Sequence, residues 1–396
     1  MSPKKLLLLK FISVVIGISF PFLLLELYAR FLPARNNFSI ELPLECDEDA
    51  RNNELTINKN CIFRRKSYIK GKYTAGLSHP LLISVTKKTN DIGQFSNSNF
   101  SNLGDQSNYK NRFLTIGDSY VEALQVDNSK SFHEVIGENK EYFSTSIGAS
   151  GNAFPQYLVH LMYANKSTNL DKVTLLIPVI SNDFHRSFAA YSSTLAGAYF
   201  NEDQEGYPII FYPLTNNIKT SFRRLVLNNS ALARYLLFNV GIYRAFHNYP
   251  FCLITGLNCY NASDVRANVI EVSEEENPKK YRYGYLATDI FLDEVNKLRP
   301  SQQNKLQTVF IVDGDRQNIY NSGISKSEFF DKQRNYFIKK ARSMGFTVLD
   351  LDPVFRKHFA KSPIKFNFDH DNHWNAHGHS VVAEEVLKLN SIISTN

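Results

Sequence analysis

From residue 111 onward, five short apolar runs, each closed by a turn residue, alternate with longer stretches that have helical patterning. The runs are 112–116, 142–147, 173–179, 308–312 and 347–351, ended by Gly117, by Gly148, by the Ser181 turn, by Asp313-Gly314 and by Asp352-Pro353. They are the length of strands and rich in apolar residues, as strands buried on both faces are. Helical stretches fall at 132–138, 155–164, 285–298, 326–344 and 376–389. Such alternation predicts an α/β fold, a five-stranded parallel sheet covered on both faces by helices. In these sheets the functional residues lie at the carboxyl ends of the strands.

Composition agrees with a folded chain. Of 396 residues, 43% are hydrophobic and 21% charged, which argues against a disordered protein. The net charge is +7, but the basic residues are scattered. The densest group, Arg64, Arg65, Lys66, Lys70 and Lys72, reads as a solvated basic surface near anionic lipid or polysaccharide. No nucleic-acid-binding module accompanies it, so no nucleic-acid partner is expected.

Residues 6–25 are apolar except for Lys10. Twenty residues at ~1.5 Å each span ~30 Å, one bilayer core. The competing reading is a cleaved signal, which wants a shorter core and a small-x-small site; Leu27-Tyr28-Ala29 fits that poorly. An uncleaved transmembrane anchor over 1–28 is therefore expected. Lys4, Lys5 and Lys10 precede the apolar core and Arg30 and Arg35 follow it, so charge hardly decides the orientation. Cys46 and Cys61, and Cys252 and Cys259, form two local pairs suited to small disulfide loops in an oxidising compartment; four buried thiols is the alternative. These points favour a periplasmic or other extracytoplasmic main domain.

The expected organisation is the anchor, a polar connector over 29–108, and a main domain over 109–392. Residues 90–109 are rich in turn formers. The alternation breaks at about 185–284, an aromatic-rich insertion with an amphipathic helical pattern at 220–246. It reads either as a lid over the active face or as a structural elaboration.

Gly117-Asp118-Ser119 stands where the first strand ends and a helix should begin. That geometry lifts a serine hydroxyl to the strand's carboxyl edge, and the helix start favours developing negative charge. A serine needs a base. The run 368–379 follows the last strand, and His373, with Asp371 two residues earlier, can serve as base and orienter. Asn375 is an expected N-cap of the last helix, and Gly378 allows close packing there. His373, His377, His379, Asp369 and Asp371 also admit a metal reading, but Trp374 stands where a zinc-protease motif has Glu. A structural histidine cluster is a third reading. After the second strand comes Gly148-Ala149-Ser150-Gly151, and after the third Ser181-Asn182-Asp183; both can offer oxyanion donors.

These four segments together resemble the conserved blocks of the SGNH (GDSL-type) hydrolases. Gly117-Asp118-Ser119 matches the first block and Gly148-Ala149-Ser150-Gly151 is similar to the second. Ile180-Ser181-Asn182-Asp183 retains the Asn of the third. In most members Asp stands three residues before the last-block His; position 370 here is His. Asp371-Asn372-His373 instead resembles the Asp-x-His form of alginate-acetylation-type members. The resemblance implies a three-layer α/β/α, flavodoxin-like fold without metal or organic cofactor. It implies Ser119 as nucleophile, His373 as base and Asp371 as acid, with Asp369 in reserve. Ser119, Gly151 and Asn182 would supply the oxyanion hole, and Gly117 and Asp118 would support the turn. The expected activity is hydrolysis of O-acyl, chiefly O-acetyl, esters of envelope or exported polysaccharide. O-acyl transfer to the same glycans, a lipid ester substrate, and a non-catalytic glycan-binding role are the alternatives.

Overall fold

A computed structural model describes residues 3–31, 47–49, 54–56, 61–75, 83–105, 109–191, 197–202, 209–212, 226–227, 229–240, 277–321, 328–369 and 371–393. The five apolar runs are strands: β1 (Asn111–Gly117), β2 (Tyr142–Gly148), β3 (Val173–Val179), β4 (Thr308–Val312) and β5 (Thr347–Asp350). They form one sheet in the order β5-β4-β3-β1-β2, and every pairing is parallel. This is the flavodoxin-like order, with its topological switch between β1 and β3.

Alternate side chains of each strand feed two apolar layers. Leu114 and Ile116 of β1, Val173 to Val179 by twos, and Phe310 and Val312 pack under the helices Phe154–Ser167, Asn277–Leu298 and Glu328–Ser343. Within that layer Phe154 stacks on Phe291 with ring centroids 4.4 Å apart. Phe113, Leu176, Val309, Ile311 and Leu349 face the other way, toward the helices Phe132–Gly137, Leu351–Lys361 and Ala376–Ile393. The sheet and its flanking helices therefore have the three-layer α/β/α arrangement. The helix Leu351–Lys361 was not foreseen. Asp352-Pro353 reads as a turn, yet Asp350 caps the helix by accepting the Asp352 N–H at 3.0 Å, and proline is tolerated in a first helical turn.

The chain divides into two units: 1–38, 71–85 and 219–269 in one, 39–70, 86–218 and 270–396 in the other, which holds the sheet. Within the sheet-bearing unit, residues 61–70 and 86–105 of the expected connector contribute to the packing; Cys61, Ile62, Phe100 and Leu103 join the first apolar layer. The insertion contributes too. Its hairpin, Gly197–Phe200 with Ile209–Tyr212, puts Ala198, Phe200 and Ile209 into the same layer. Ala198 O accepts from Gln156 Nε2 at 2.7 Å, so this part of the insertion is structural.

The other unit contains the N-terminal helix, Pro3–Ala29, of which Lys5–Ala29 is long and apolar enough to cross a membrane. Among the described residues of 220–246, the helix is broken at Ser230, whose backbone is extended and whose side chain caps a new turn, Ala231–Arg234. A π-helical stretch, Tyr235–Val240, follows. Cys61 is disulfide-bonded; Cys46, Cys252 and Cys259 lie outside the described residues.

Candidate active site

The nucleophile candidate sits on a turn that only glycine allows. A Cβ on Gly117 would lie 2.4 Å from Val121 Cγ2, and one on Gly148 would lie 2.7 Å from Val121 Cβ. The bare ends of β1 and β2 thus let the residues after Ser119 fold down onto the sheet edge. The helix expected there is a single turn, Ser119–Glu122, ended by Ala123 at φ +50°. One turn has little macrodipole to offer. Asp118 caps it instead: Oδ1 accepts the Tyr120 N–H at 2.9 Å, and Oδ2 receives the Ser119 hydroxyl at 3.3 Å and the Asn182 amide at 3.5 Å. Asp118 is fully buried, and that burial pushes its carboxyl up, against the pull of these donors and of His373.

Ser119 Oγ is 2.8 Å from His373 Nε2, although 254 residues separate them. The other ring nitrogen, Nδ1, bonds Asp371 Oδ1, which also accepts the His373 backbone N–H at 2.9 Å. With Nδ1 protonated, Nε2 is free to accept the serine proton. Burial pushes the Asp371 carboxyl up, but the His373 and Gln125 hydrogen bonds more than offset this and hold it at about 2. Gln125 Nε2 donates to Asp371 Oδ2 at 3.1 Å. The alternative acid is elsewhere. Asp369 lies in the turn of the hairpin Asn367–Phe368 with Asp371–Trp374, 72% exposed at its side chain, and pairs with Lys365 at 2.8 Å; the Asp371 side chain is 8% exposed.

The peptide before His373 is tied down. Asn372 O accepts from Tyr120 Oη at 2.7 Å and Arg316 Nη1 at 2.6 Å. Arg316 bridges on to Asp313 at the end of β4, and Asp313 accepts the Trp374 indole N–H at 3.2 Å. Burial raises the Asp313 carboxyl, with Arg316 and Trp374 pulling against it. Trp374 packs on Tyr120 with centroids 4.9 Å apart. Asn375 does cap the last helix, accepting the Gly378 N–H at 2.9 Å, and a Cβ on Gly378 would come within 2.3 Å of Phe366 O.

Gly151 follows β2 on the same edge, exposed and at φ +89°. Its loop is pinned on both sides. Asn152 Nδ2 donates to Gly117 O at 3.1 Å, and Ser150 donates its N–H to Glu122 Oε2 at 2.7 Å. Burial pushes the Glu122 carboxyl up, yet its ion pair with Arg65 and its Ser150 bonds hold it below the usual range. Gly148 N donates to Gln94 Oε1 at 3.0 Å. Lys87 donates to Glu122 O at 3.4 Å and to Ala123 O. Burial lowers the Lys87 ammonium to about 7 despite the nearby Glu122.

Arg65 thus departs from the solvated basic surface expected of its cluster. It is 3% exposed, because the buried Glu122 carboxylate requires a counter-charge. Lys87, Gln94, Glu122, Gln125, Tyr120 and Arg316 all escaped the sequence reading; one available signal was an acidic residue three places after the serine. Of the other histidines, His379 is buried and accepts the Phe132 N–H at 3.3 Å, and His377 stacks on Phe366. His370 lies outside the described residues. Among the described residues no group of three His, Cys, Asp or Glu side chains is placed to hold a metal.

No known family model matches the chain, and no curated sequence does. Similar solved structures include a member of the lipolytic protein G-D-S-L family from Veillonella parvula (9% identity, covering 70% of this chain and 96% of that one, TM-score 0.36). Others are the acetyl xylan esterase AlAXEase (11%, 70% and 98%, 0.38) and the lipase Lip_vut3 from a goat rumen metagenome (9%, 71% and 97%, 0.37). At such identities, function is read from this chain's own residues.

Proposed function

We propose that the chain is a serine ester hydrolase of the SGNH type, removing O-acyl groups, in particular O-acetyl, from cell-envelope or exported polysaccharide. The observation that carries this reading is the Ser119–His373–Asp371 relay, with Ser119 Oγ 2.8 Å from the base, at the switch point of the sheet. His373 Nε2 takes the Ser119 proton as Oγ attacks the ester carbonyl. Asp371 holds the ring and stabilises the imidazolium. The Ser119 and Gly151 N–H groups and the Asn182 amide receive the oxyanion. His373 then returns the proton to the leaving sugar oxygen, and the acyl group stays on Ser119. Water, deprotonated by His373, releases it as the carboxylate.

The glycan assignment draws on the apolar N-terminal helix and the disulfide at Cys61, which suit an envelope setting, and on the Asp-x-His block shared in form with alginate-acetylation-type proteins. The test is acetate release from acetylated envelope polysaccharide by the detergent-solubilised full chain, beside Ser119→Ala, with fluorophosphonate labelling in parallel. Labelling of Ser119 and serine-dependent acetate release are expected. Absence of an adduct on the folded protein would falsify the hydrolase reading, and acetyl appearing on an added oligosaccharide instead of water would make it a transferase.

A further inference from the structure

Glu26 is the one acidic residue of the helix Pro3–Ala29 and stands one turn from its end. A carboxylate there lies at headgroup depth if the helix spans a bilayer, where it costs least. It is not left to lipid or water. It accepts from Ser230 Oγ at 2.7 Å, Ala231 N at 2.8 Å and Leu232 N at 3.0 Å. Ser230 Oγ in turn accepts the Ala233 N–H at 3.0 Å. All three N–H groups that open the turn Ala231–Arg234 are thereby satisfied, two of them by a residue of the N-terminal helix. Farther along, Thr74 Oγ1 donates to Asn239 Oδ1 at 3.1 Å, fastening the π-helical stretch to a strand of the same unit.

We infer that Pro3–Ala29 is a permanent part of the folded protein and that, through Glu26, it seats residues 229–240 on the surface of the lipid bilayer. A signal removed after Ala29 would strip the acceptor from three donors. The seated segment has the chemistry of the interface. Among Leu232, Tyr235, Leu236, Leu237 and Val240 none is buried, while Ala231 is; Val240 is 42% exposed. An apolar segment held at the end of a bilayer-length helix fits the headgroup–acyl boundary, with Arg30 and Arg234 at the level of the phosphates. This inference does not rest on the hydrolase reading.

Three measurements on the full chain test it. Intact mass and N-terminal sequencing of protein extracted from membranes should find residues 3–31 retained; a mature terminus beyond Glu26 overturns the inference. Leu236→Cys carrying an environment-sensitive fluorophore, in phosphatidylethanolamine–phosphatidylglycerol vesicles, should be quenched by nitroxide-labelled acyl chains. An unquenched, water-like emission overturns the seating. Glu26→Ala should abolish that quenching and speed amide exchange over 231–233 by about 5- to 20-fold, whereas Glu26→Gln, which keeps an acceptor oxygen, should retain most of it. Unchanged quenching and exchange in Glu26→Ala would show that the clip does not hold the segment.

Discussion

Glu122 accepts the Ser150 backbone N–H at 2.7 Å and the Ser150 hydroxyl as well, so the turn carrying Ser119 is fastened to the loop carrying Gly151. Arg65 supplies the charge that makes this buried carboxylate tolerable. The candidate nucleophile and one candidate oxyanion donor are thereby held together by Glu122, whose counter-charge, Arg65, comes from outside the two loops.

Breaking that pair should cost both stability and rate. Arg65→Met and Glu122→Gln each remove one charge of a buried ion pair, an effect of about 3–5 kcal/mol. Each should also lower kcat by at least about tenfold through the displaced Gly151 loop. The double variant Arg65→Met/Glu122→Gln should lose less stability than the sum of its parts, since neither charge of the pair remains. Urea unfolding of the set checks this; strictly additive losses would mean that the two groups are not coupled.

Asp371 and Asp369 should separate cleanly. Asp371→Asn removes the ring's orienter and should lower kcat by about 10³–10⁴-fold. Asp369→Asn, altering a solvent-exposed pair with Lys365, should stay within about twofold. The Asp371 carboxyl is held at about 2 against 3.8 when unfolded. Its stabilising contribution is therefore complete above about pH 4 and fades as pH falls toward 2. Acid unfolding of wild type and Asp371→Asn should converge over that window.

Asn182→Ala should lower kcat by about 10²–10³-fold with little change in KM, as expected when a transition-state donor is lost. Gly151→Ala differs in kind. A Cβ there meets nothing within 4 Å, but the φ of +89° strains any other residue. A destabilisation of about 1–2 kcal/mol and a fall in kcat should appear together. A Gly151→Ala protein with wild-type kcat would remove Gly151 from the oxyanion site.

Lys87 should leave a signature in the pH dependence of stability. Its ammonium is lowered to about 7 in the fold and stands at 10.5 when unfolded. Between those values the unfolded chain binds more protons, so stability rises with pH from about 7 toward 10.5. Burial drives the shift; Arg65 adds to it, and Glu122, Asp127 and Glu134 oppose it. Lys87→Met should flatten this slope, read as Tm between pH 7 and 9.5; parallel curves for the two proteins would contradict it.

The sheet was legible because each strand is recorded locally. Residues 173–179 are apolar at every place but Thr174, and the structure buries all seven. The position of Ser119 followed from a strand end that a turn residue marks, whereas His373 lies within the hairpin strand Asp371–Trp374, beyond a helix that follows the last strand of the sheet. The choice between two aspartates did not follow that way. It depends on the hairpin in which Phe368 pairs with Asp371, leaving Asp369 in the turn and turning Asp371 toward the ring. Local spacing assigns both residues to the same short run and says nothing of the direction each faces.

By itself, then, the sequence determined the strand–helix alternation, the apolar N-terminal helix, and the serine and asparagine just after their strands. Tertiary structure alone decided that Arg65 meets Glu122 across 57 residues, that Gln125 meets Asp371 across 246, and that Glu26 meets Ser230 across 204. Apolar patterning repeats with the period of its own element and can be read in place. A polar partnership has no period; it is settled when burial leaves a donor or charge with one acceptor within reach.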